Sequence, residues 1–586
     1  MGPRPLSVFT LTILMLCALP PAAAGEEPGL VWSTLLGGSD NDKANAMAVD
    51  DSGNVYLVGS TRSIEFPATE GALDTVYNNK TDAFVARIDA GGRGLGYATY
   101  LGGNGGDRGY DIAVDAAGSA YVTGFTYSGN FPATAGAFDT EHNSPGGIYQ
   151  DVFAARLNPN GGSLLFSTYL GGSLGEGGYA LSLCQDGGLI VAGDTQSSDF
   201  PVTPEAYDTT YHGIKDIFVA RLNASGSALE FATFVGGTSV ENFETFVMDD
   251  AGGVYVVGET QSSDFPTTEG AFDRSYNQNA DAFVFKLNAA GDSLEYGSYV
   301  GAGQWDRGNG IAVDDSGGLY LTGYTASSGF PHTLESYDPS YNDRRDAYVV
   351  KLDIVHNLLV YGTFLGGADD DRGLGIALDD AGRVIVAGRT ASDDFPATPG
   401  ACDVTYNGKT DIFVARFSAA GDVLQYATFL GGQEDDYGND LALQEGGIIY
   451  LAGSTASEDF PVSTGAFDPD HSGLEDIFAL KLQLDPTPVV LEAPSRARPE
   501  RYVLRQNYPN PFNPITTIEY ALRRDEQVAL RIYDVRGGLV ATLADGHRPA
   551  GHHAVRWNAA DQASGVYFCV LQAGDIRQAR KMVLLK

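Results

Sequence analysis

Short apolar runs alternate with clusters of Gly, Asp, Asn and Ser along the chain. Between residues 110 and 170 the runs are Tyr110–Asp115, Ala120–Thr126, Asp151–Leu157 and Leu164–Leu170, rich in Val, Ile, Tyr, Phe and Thr. Runs of this length bounded by turn residues predict strands. The arrangement then returns. Phe-Pro recurs at Phe66, Phe131, Phe200, Phe265, Phe330, Phe395 and Phe460, at intervals of 65, 69, 65, 65, 65 and 65 residues. The first glycine after segments such as "ATYLGG" falls at Gly37, Gly102, Gly171, Gly236, Gly301, Gly366 and Gly431 with the same intervals. The four extra residues lie in "EHNSPGGIYQ", a loop by composition.

Four strands in each of seven equal units describe a propeller, because solenoid repeats are shorter or contain helices and a sandwich does not explain the period. The expected fold is all-β: a seven-bladed β-propeller of four-stranded blades. The segment "DIAVD", with its small Ala113, suits the crowded strand a nearest the axis, and strands b, c and d follow outward. Strand c of the last unit (476–482) has no successor, whereas 30–38 reads as a d-type strand before the first strand a. The two ends are therefore expected to complete one blade and close the ring. The glycine of "VDDSGNVY" and its six counterparts mark a tight a-to-b turn that needs positive φ.

Residues 486–501 are proline-rich and read as a linker. After them, the strand patterns 515–522, 527–534, 553–557 and 565–572 predict a small Ig-like β-sandwich over 502–586. At the other end, Arg4, an apolar run from Val8 to Leu19 and Ala22-Ala23-Ala24 read as a cleavable secretory signal over 1–24. The propeller then occupies 25–485. No later run reaches the roughly 18 apolar residues of a membrane span. Cys184, Cys402 and Cys569 are too scattered for a disulfide framework.

Formal charge is −39, from 36 Lys and Arg against 75 Asp and Glu. That argues against nucleic acid or an anionic membrane as the main partner. The tail differs: from Ser495 onward there are fourteen Lys and Arg to eight Asp and Glu.

The d-to-a and b-to-c connections emerge on one face of an antiparallel blade, and that face carries the long loops suited to binding. Five residues after each marker glycine stands an acid: Asp42, Asp107, Glu176, Glu241, Asp306, Asp371 and Asp436. Preceding the axial strand, these acids are expected to ring the channel mouth as a candidate binding site, and a calcium or sugar ligand is one reading. The other is that each accepts backbone N–H groups locally. Arg108, Arg307 and Arg372 directly follow three of them and suggest local charge compensation. Further acids recur at Asp74, Asp139, Asp208, Asp273, Asp338, Asp403 and Asp468, and at Asp82, Asp151, Asp216, Asp281, Asp346, Asp411 and Asp476, where turn and strand capping is expected. Loop aromatics Tyr77, Tyr211, Tyr276, Tyr341 and Tyr406, with His142 and His471 in the other two units, either stack on a ligand or pin the loop.

No catalytic residue emerges. The histidines lack metal-ligand spacing, and Gly171–Gly175 matches GxSxG only in a d-to-a loop, not at a strand-to-helix elbow. No cofactor is expected beyond the calcium reading.

Two resemblances sharpen the picture. The segments "NYPNPFNPITTIEYAL" (507–522), "IYDVRGGLV" (532–540), "AGHHAVRW" (550–557), "SGVYF" (564–568) and "RKMVLLK" (580–586) resemble the C-terminal sorting domain of type IX secretion. The pattern "YLGG…DIAVDxxGxxYVTGxT…FP" resembles the SBBP family of bacterial β-propeller repeats, with departures at Cys184, Gln444 and Ala302. The first implies periplasmic entry, the type IX secretion machinery as partner, and a secreted or outer-surface location in a Gram-negative bacterium. The second implies the fold and no shared activity. Together they suggest a non-catalytic adhesion or recognition scaffold for a glycan or protein ligand. The alternatives are a polysaccharide-active hydrolase or lyase on the long-loop face and a structural surface-layer component.

Overall fold

Strands b and c of every unit are buried along both faces, as Ala120–Thr126 and Asp151–Leu157 show, so the apolar runs read as continuous rather than alternating. The structure, a computed structural model, describes residues 29–484 except Asn79 and Asp343, and in the tail 502–504, 515–548, 551–559, 562–574 and 576–585. The expected signal segment and proline-rich linker lie outside these residues. The chain divides into two compact units, 1–487 and 488–586.

The first unit holds seven four-stranded antiparallel sheets, each in the order a-b-c-d. Blade 1 consists of Asp42–Val49, Val55–Thr61, Asp82–Ile88 and Leu95–Leu101. Blades 2 to 6 begin with the inner strands Asp107–Val114, Glu176–Leu183, Glu241–Met248, Asp306–Val313 and Asp371–Leu378. Blade 7 takes Asp436–Gln444, Ile448–Thr455 and Asp476–Gln483 from the end of the unit, and its outer strand is Gly29–Leu36. Leu35 pairs with Phe478 and Trp32 with Lys481. Inner strands of successive blades touch all the way round, that of blade 7 meeting that of blade 1. The architecture is a closed seven-bladed β-propeller.

The cores lie between blades. One cluster joins Val58 and Val85 of blade 1 to Ile112, Val122 and Phe153 of blade 2. The Phe-Pro phenylalanines are buried and lie on strand c aromatics, Phe131 against Phe153 at 4.5 Å and Phe330 against Tyr348 at 4.3 Å. Each buried ring contributes roughly 1.5–3 kcal/mol by leaving water. The repeat marker is thus a packing residue. The a-to-b turn glycine adopts positive φ, +82° at Gly53 and +83° at Gly118, where a side chain would strain the backbone. The insertion in blade 2 carries a single 3₁₀ turn, Pro145–Gly147.

Strands b, c and d of blade 2 coincide with the sequence expectation, but strand a begins at Asp107 rather than Tyr110. In the tail three further strands appear, the two-residue Val503–Leu504 and the longer Leu539–Arg548 and Ile576–Leu584. The two longer ones join Glu526–Asp534 and Gly565–Ala573 in one sheet, and Val503–Leu504, Ile515–Leu522 and Gly551–Asn558 form another. The two sheets share a core of Leu504, Ile518, Trp557, Leu530, Ile532, Leu571 and Met582. Cys184, Cys402 and Cys569 are free thiols.

Candidate functional site

The seven acids expected on the d-to-a loop are instead the first residues of strand a, at most 1% exposed. The carboxylate of Asp107 explains the placement: its Oδ2 accepts the Gly103 N–H at 2.7 Å and the Ser128 hydroxyl at 2.8 Å, and the Thr126 hydroxyl donates to Oδ1. Asp42, Asp371 and Asp436 repeat the bonds to glycine and serine, and Glu176 and Glu241 accept the matching glycine N–H and threonine hydroxyl. The backbone N–H of each acid donates to the carbonyl just before strand c of the neighbouring blade, as Asp107 does to Thr81 at 2.7 Å. Seven backbone clips therefore fasten blade to blade, and the carboxylates of the same residues are buried against the donors of their own turns. The start of strand a was misplaced because an acid reads as a turn residue, whereas here the turn supplies its donors.

The acids that open strand c are equally buried, from Asp82 to Asp476. Six of the seven, all but Asp346, stand with a strand a acid around a marker glycine. Asp82 and Asp281 are pushed up to about 7 by burial, with the facing acid adding to the rise. Asp42 and Asp371 are pushed up to about 6 by burial. Among the described residues, no three His, Cys, Asp or Glu side chains converge in a way that could hold a metal ion.

The loop aromatics face their own blades. Tyr276 donates its hydroxyl to Asn279 O at 2.7 Å with its ring 6.1 Å from Tyr299, and Tyr341 and Tyr406 donate to Arg344 O and Lys409 O. Tyr77 bonds Lys80 O, and the Tyr211 ring lies 5.9 Å from Phe234. Ring and hydroxyl together pin the b-to-c loop.

What converges on the axis is a different set. Eight residues after each marker glycine stand Asn45, Tyr110, Tyr179, Glu244, Asn309, Leu374 and Asn439, and these seven side chains, of four kinds, line one axial cavity of about 280 Å³. A β-bulge puts them there: in every blade the register of strand a against strand b skips this residue, as between Gly109 and Asp111 in blade 2, and the extra residue is turned to the channel. Asn45, Asn309 and Asn439 donate to backbone carbonyls of the next blade, at 2.7, 2.8 and 2.8 Å. On the channel walls Asp111 accepts the Leu181 N–H and Asp440 the Met47 N–H; burial pushes them up to about 8 and about 6.

At the mouth the cavity opens into two side grooves. One, of about 370 Å³, is lined by Tyr110, Tyr179, Asp194, Lys215, Asn242, Phe243, Glu244 and Arg307. Lys215 pairs with Asp194 at 2.9 Å, and Arg307 bonds Glu244 and lies 3.7 Å from Glu259. The other, of about 310 Å³, lies between blades 1 and 2 and is lined by Asn41, Lys43, Asn45, Ser60, Arg62, Thr81, Arg108, Tyr110 and Glu475. A further cationic cluster joins Arg345 and Arg372 to Asp370, at 3.1 and 2.7 Å, with Arg372 over the Tyr324 ring and Arg389 over Tyr437.

None of Arg108, Arg307 and Arg372 compensates the acid it follows, because adjacent strand residues point to opposite sides. Arg108 lies over the Phe125 ring, and the other two pair with Glu244 and Asp370. These eight cations, of the 21 Lys and Arg between residues 29 and 484, were not singled out as a group from sequence. For four of them, Lys43, Arg108, Arg307 and Arg372, the signal lies in comparing repeats column by column: the position after the repeat acid reads Lys, Arg, Gly, Asn, Arg, Arg, Tyr.

A rigid all-β disc with its variable residues gathered at one channel mouth defines a β-propeller whose unlike groups meet on the axis. The chain carries beta-propeller repeats of the SBBP family, matched at 31–67, 96–132 and 295–331, and ends in a type IX secretion system C-terminal sorting domain, matched at 506–585. It is a secreted or cell-surface β-propeller protein. A curated relative, the regulatory protein FlaEY of Caulobacter vibrioides, is 28% identical over 272 residues, covering 44% of this chain; the chain spans about a quarter of that relative, 27%. Among solved structures, PorZ, a surface component of the type-IX secretion system of Porphyromonas gingivalis, is 12% identical over 92% of this chain and 74% of its own, with TM-score 0.28. The acylaminoacyl peptidase of Pyrococcus horikoshii is 8% identical over 84% of this chain and 57% of its own, with TM-score 0.33.

Proposed function

We propose that the chain is a non-catalytic recognition scaffold of the cell surface, which binds its ligand at the channel mouth on the long-loop face. One observation carries this reading. The repeat holds its residues constant where they are buried, as in the seven clip acids, and diversifies them where they face the axis. A scaffold with one asymmetric site has this distribution, since a single ligand needs unlike groups and the disc needs like ones.

The alternative of a polysaccharide-active enzyme has its best placement at the groove lined by Asp194 and Glu244, with Glu259 behind Arg307. Two free carboxyl groups flanking a bond are required for that chemistry. Here Arg307 engages both glutamates and Lys215 engages Asp194, which favours binding. Glycan and protein arrays probed with the mature chain test the proposal. Selective binding that is lost on altering mouth residues supports it; release of reducing ends from a polysaccharide without selective retention refutes it.

A further inference from the structure

The groove between blades 1 and 2 is anomalous in charge. The chain carries more than twice as many acids as bases, yet this groove holds three cations, Lys43, Arg62 and Arg108, and one acid, Glu475. Lys43 and Glu475 pair at 2.6 Å. Arg62 donates Nε to Thr81 Oγ1 at 3.2 Å, which fixes the side chain without neutralising it. Arg108 is held by the Phe125 ring, 5.8 Å from its centroid. Among the described residues neither arginine has a carboxylate within ion-pair distance. The six counterparts of Arg62, which are Tyr127, Gln196, Gln261, Ala326, Ala391 and Ala456, are all uncharged. The pairing of two free guanidinium groups is therefore particular to this groove and not a property of the repeat.

Resting on the recognition reading above, we infer that this groove binds an acidic saccharide of the uronic acid type. Two guanidinium groups supply the planar donor forks that match a carboxylate. Asn41, Ser60 and Tyr110 supply donors and acceptors for ring hydroxyls, and Asn45 and Thr81 keep capacity beyond their bonds to Gly109 O and Arg62. The volume, about 310 Å³, falls at the lower end of small-ligand sites. A bare inorganic anion would use the arginines and make no use of Asn41, Ser60 and Tyr110 or of the free valences of Thr81 and Asn45, and an apolar ligand would desolvate the arginines without a partner.

The test is calorimetric titration of the mature chain with oligogalacturonate, with neutral oligogalactose, with sodium sulfate and with poly-glutamate. Oligogalacturonate binds saturably, weakens with added salt, and loses about 10-fold or more in affinity in Arg62→Gln and in Arg108→Gln, the scale of a charge-assisted hydrogen bond. Neutral oligogalactose does not bind at this site. Arg93→Gln, on an exposed outer turn, leaves the affinity unchanged, and thermal midpoints of all variants confirm folding. The inference falls if oligogalacturonate fails to bind, if either arginine variant binds it undiminished, if sulfate binds as tightly, or if poly-glutamate is preferred. Array ligands retained at full strength by both arginine variants would overturn this inference and leave the recognition role standing.

Discussion

Asp82 and Asp107 face each other across Gly102: a methyl group on that glycine would stand 2.6 Å from Asp107 Oδ2 and 3.1 Å from Asp82 Oδ1. Both carboxyls are fully buried, and Asp82 Oδ1 has no hydrogen-bond partner among the described residues. Burial pushes Asp82 up to about 7, helped by the charge of Asp107, and raises Asp107 as well. A carboxyl with a folded pKa above its unfolded one binds its proton more tightly in the folded state, so stability is highest below the unfolded value and is lost as pH rises through the folded one. Repeated around the ring, these pairs make the propeller more stable at pH 5 than at pH 8. Thermal midpoints across that window check the sign; a midpoint that falls on acidification contradicts it, and EDTA at pH 8 is expected to leave the midpoint unchanged.

The two partners respond differently to amide substitution. In Asp82→Asn the Oδ that accepts the Asn78 N–H at 2.9 Å is retained, and the new amide donates toward Asp107. The variant should be more stable than the parent at pH 8 and show a shallower pH dependence. Asp107 receives donors at both oxygens, so Asp107→Asn turns an N–H against a hydroxyl or N–H and costs about 1–3 kcal/mol. Urea unfolding at pH 8 distinguishes the two signs.

Ring closure depends on Trp32. It is 5% exposed, donates Nε1 to Ala90 O at 3.1 Å and packs edge-on to Tyr450 at 6.3 Å. Trp32→Ala is expected to cost about 3–5 kcal/mol. Gly92, at φ +67°, lies under the same ring, where an added methyl would stand 2.5 Å from it, so Gly92→Ala destabilises through both backbone and packing. Urea midpoints measure both, and removal of 29–36 should yield an aggregating, non-cooperative protein through its exposed blade edge.

The tail carries the address. A chain ending near Pro499 lacks the sorting domain matched at 506–585 and should accumulate in the periplasm. Fractionation of cells expressing both forms decides this, and undiminished export of the shortened form would refute it.

The parts legible in sequence are those where burial and strand period agree. Ala120–Thr126, Asp151–Leu157 and Leu164–Leu170 were legible to the residue, because apolar side chains there are bounded by glycine and polar turns. Asp107 obscured the start of strand a, since a buried acid satisfied by its own turn has the same sequence signature as an exposed one. Leu539–Arg548 and Ile576–Leu584 were missed because Gly546 and runs of Arg, Gln and Asp interrupt their alternation. The grouping of the mouth cations is hidden for another reason: Arg108, Arg307 and Arg372 stand out in the sequence one by one beside their acids, and their convergence with other cations exists only after the blades are set side by side.

The seam formed by Gly29–Leu36 and Asp476–Gln483 imposes an order on folding. Within the propeller the first strand made has its partner in the last, so six sectors can assemble while the seventh waits. Until residue 483 is available, the molecule is an open arc with an unpaired strand to spare. Any factor that guards the chain before export must therefore shield that one early segment for the whole interval of synthesis.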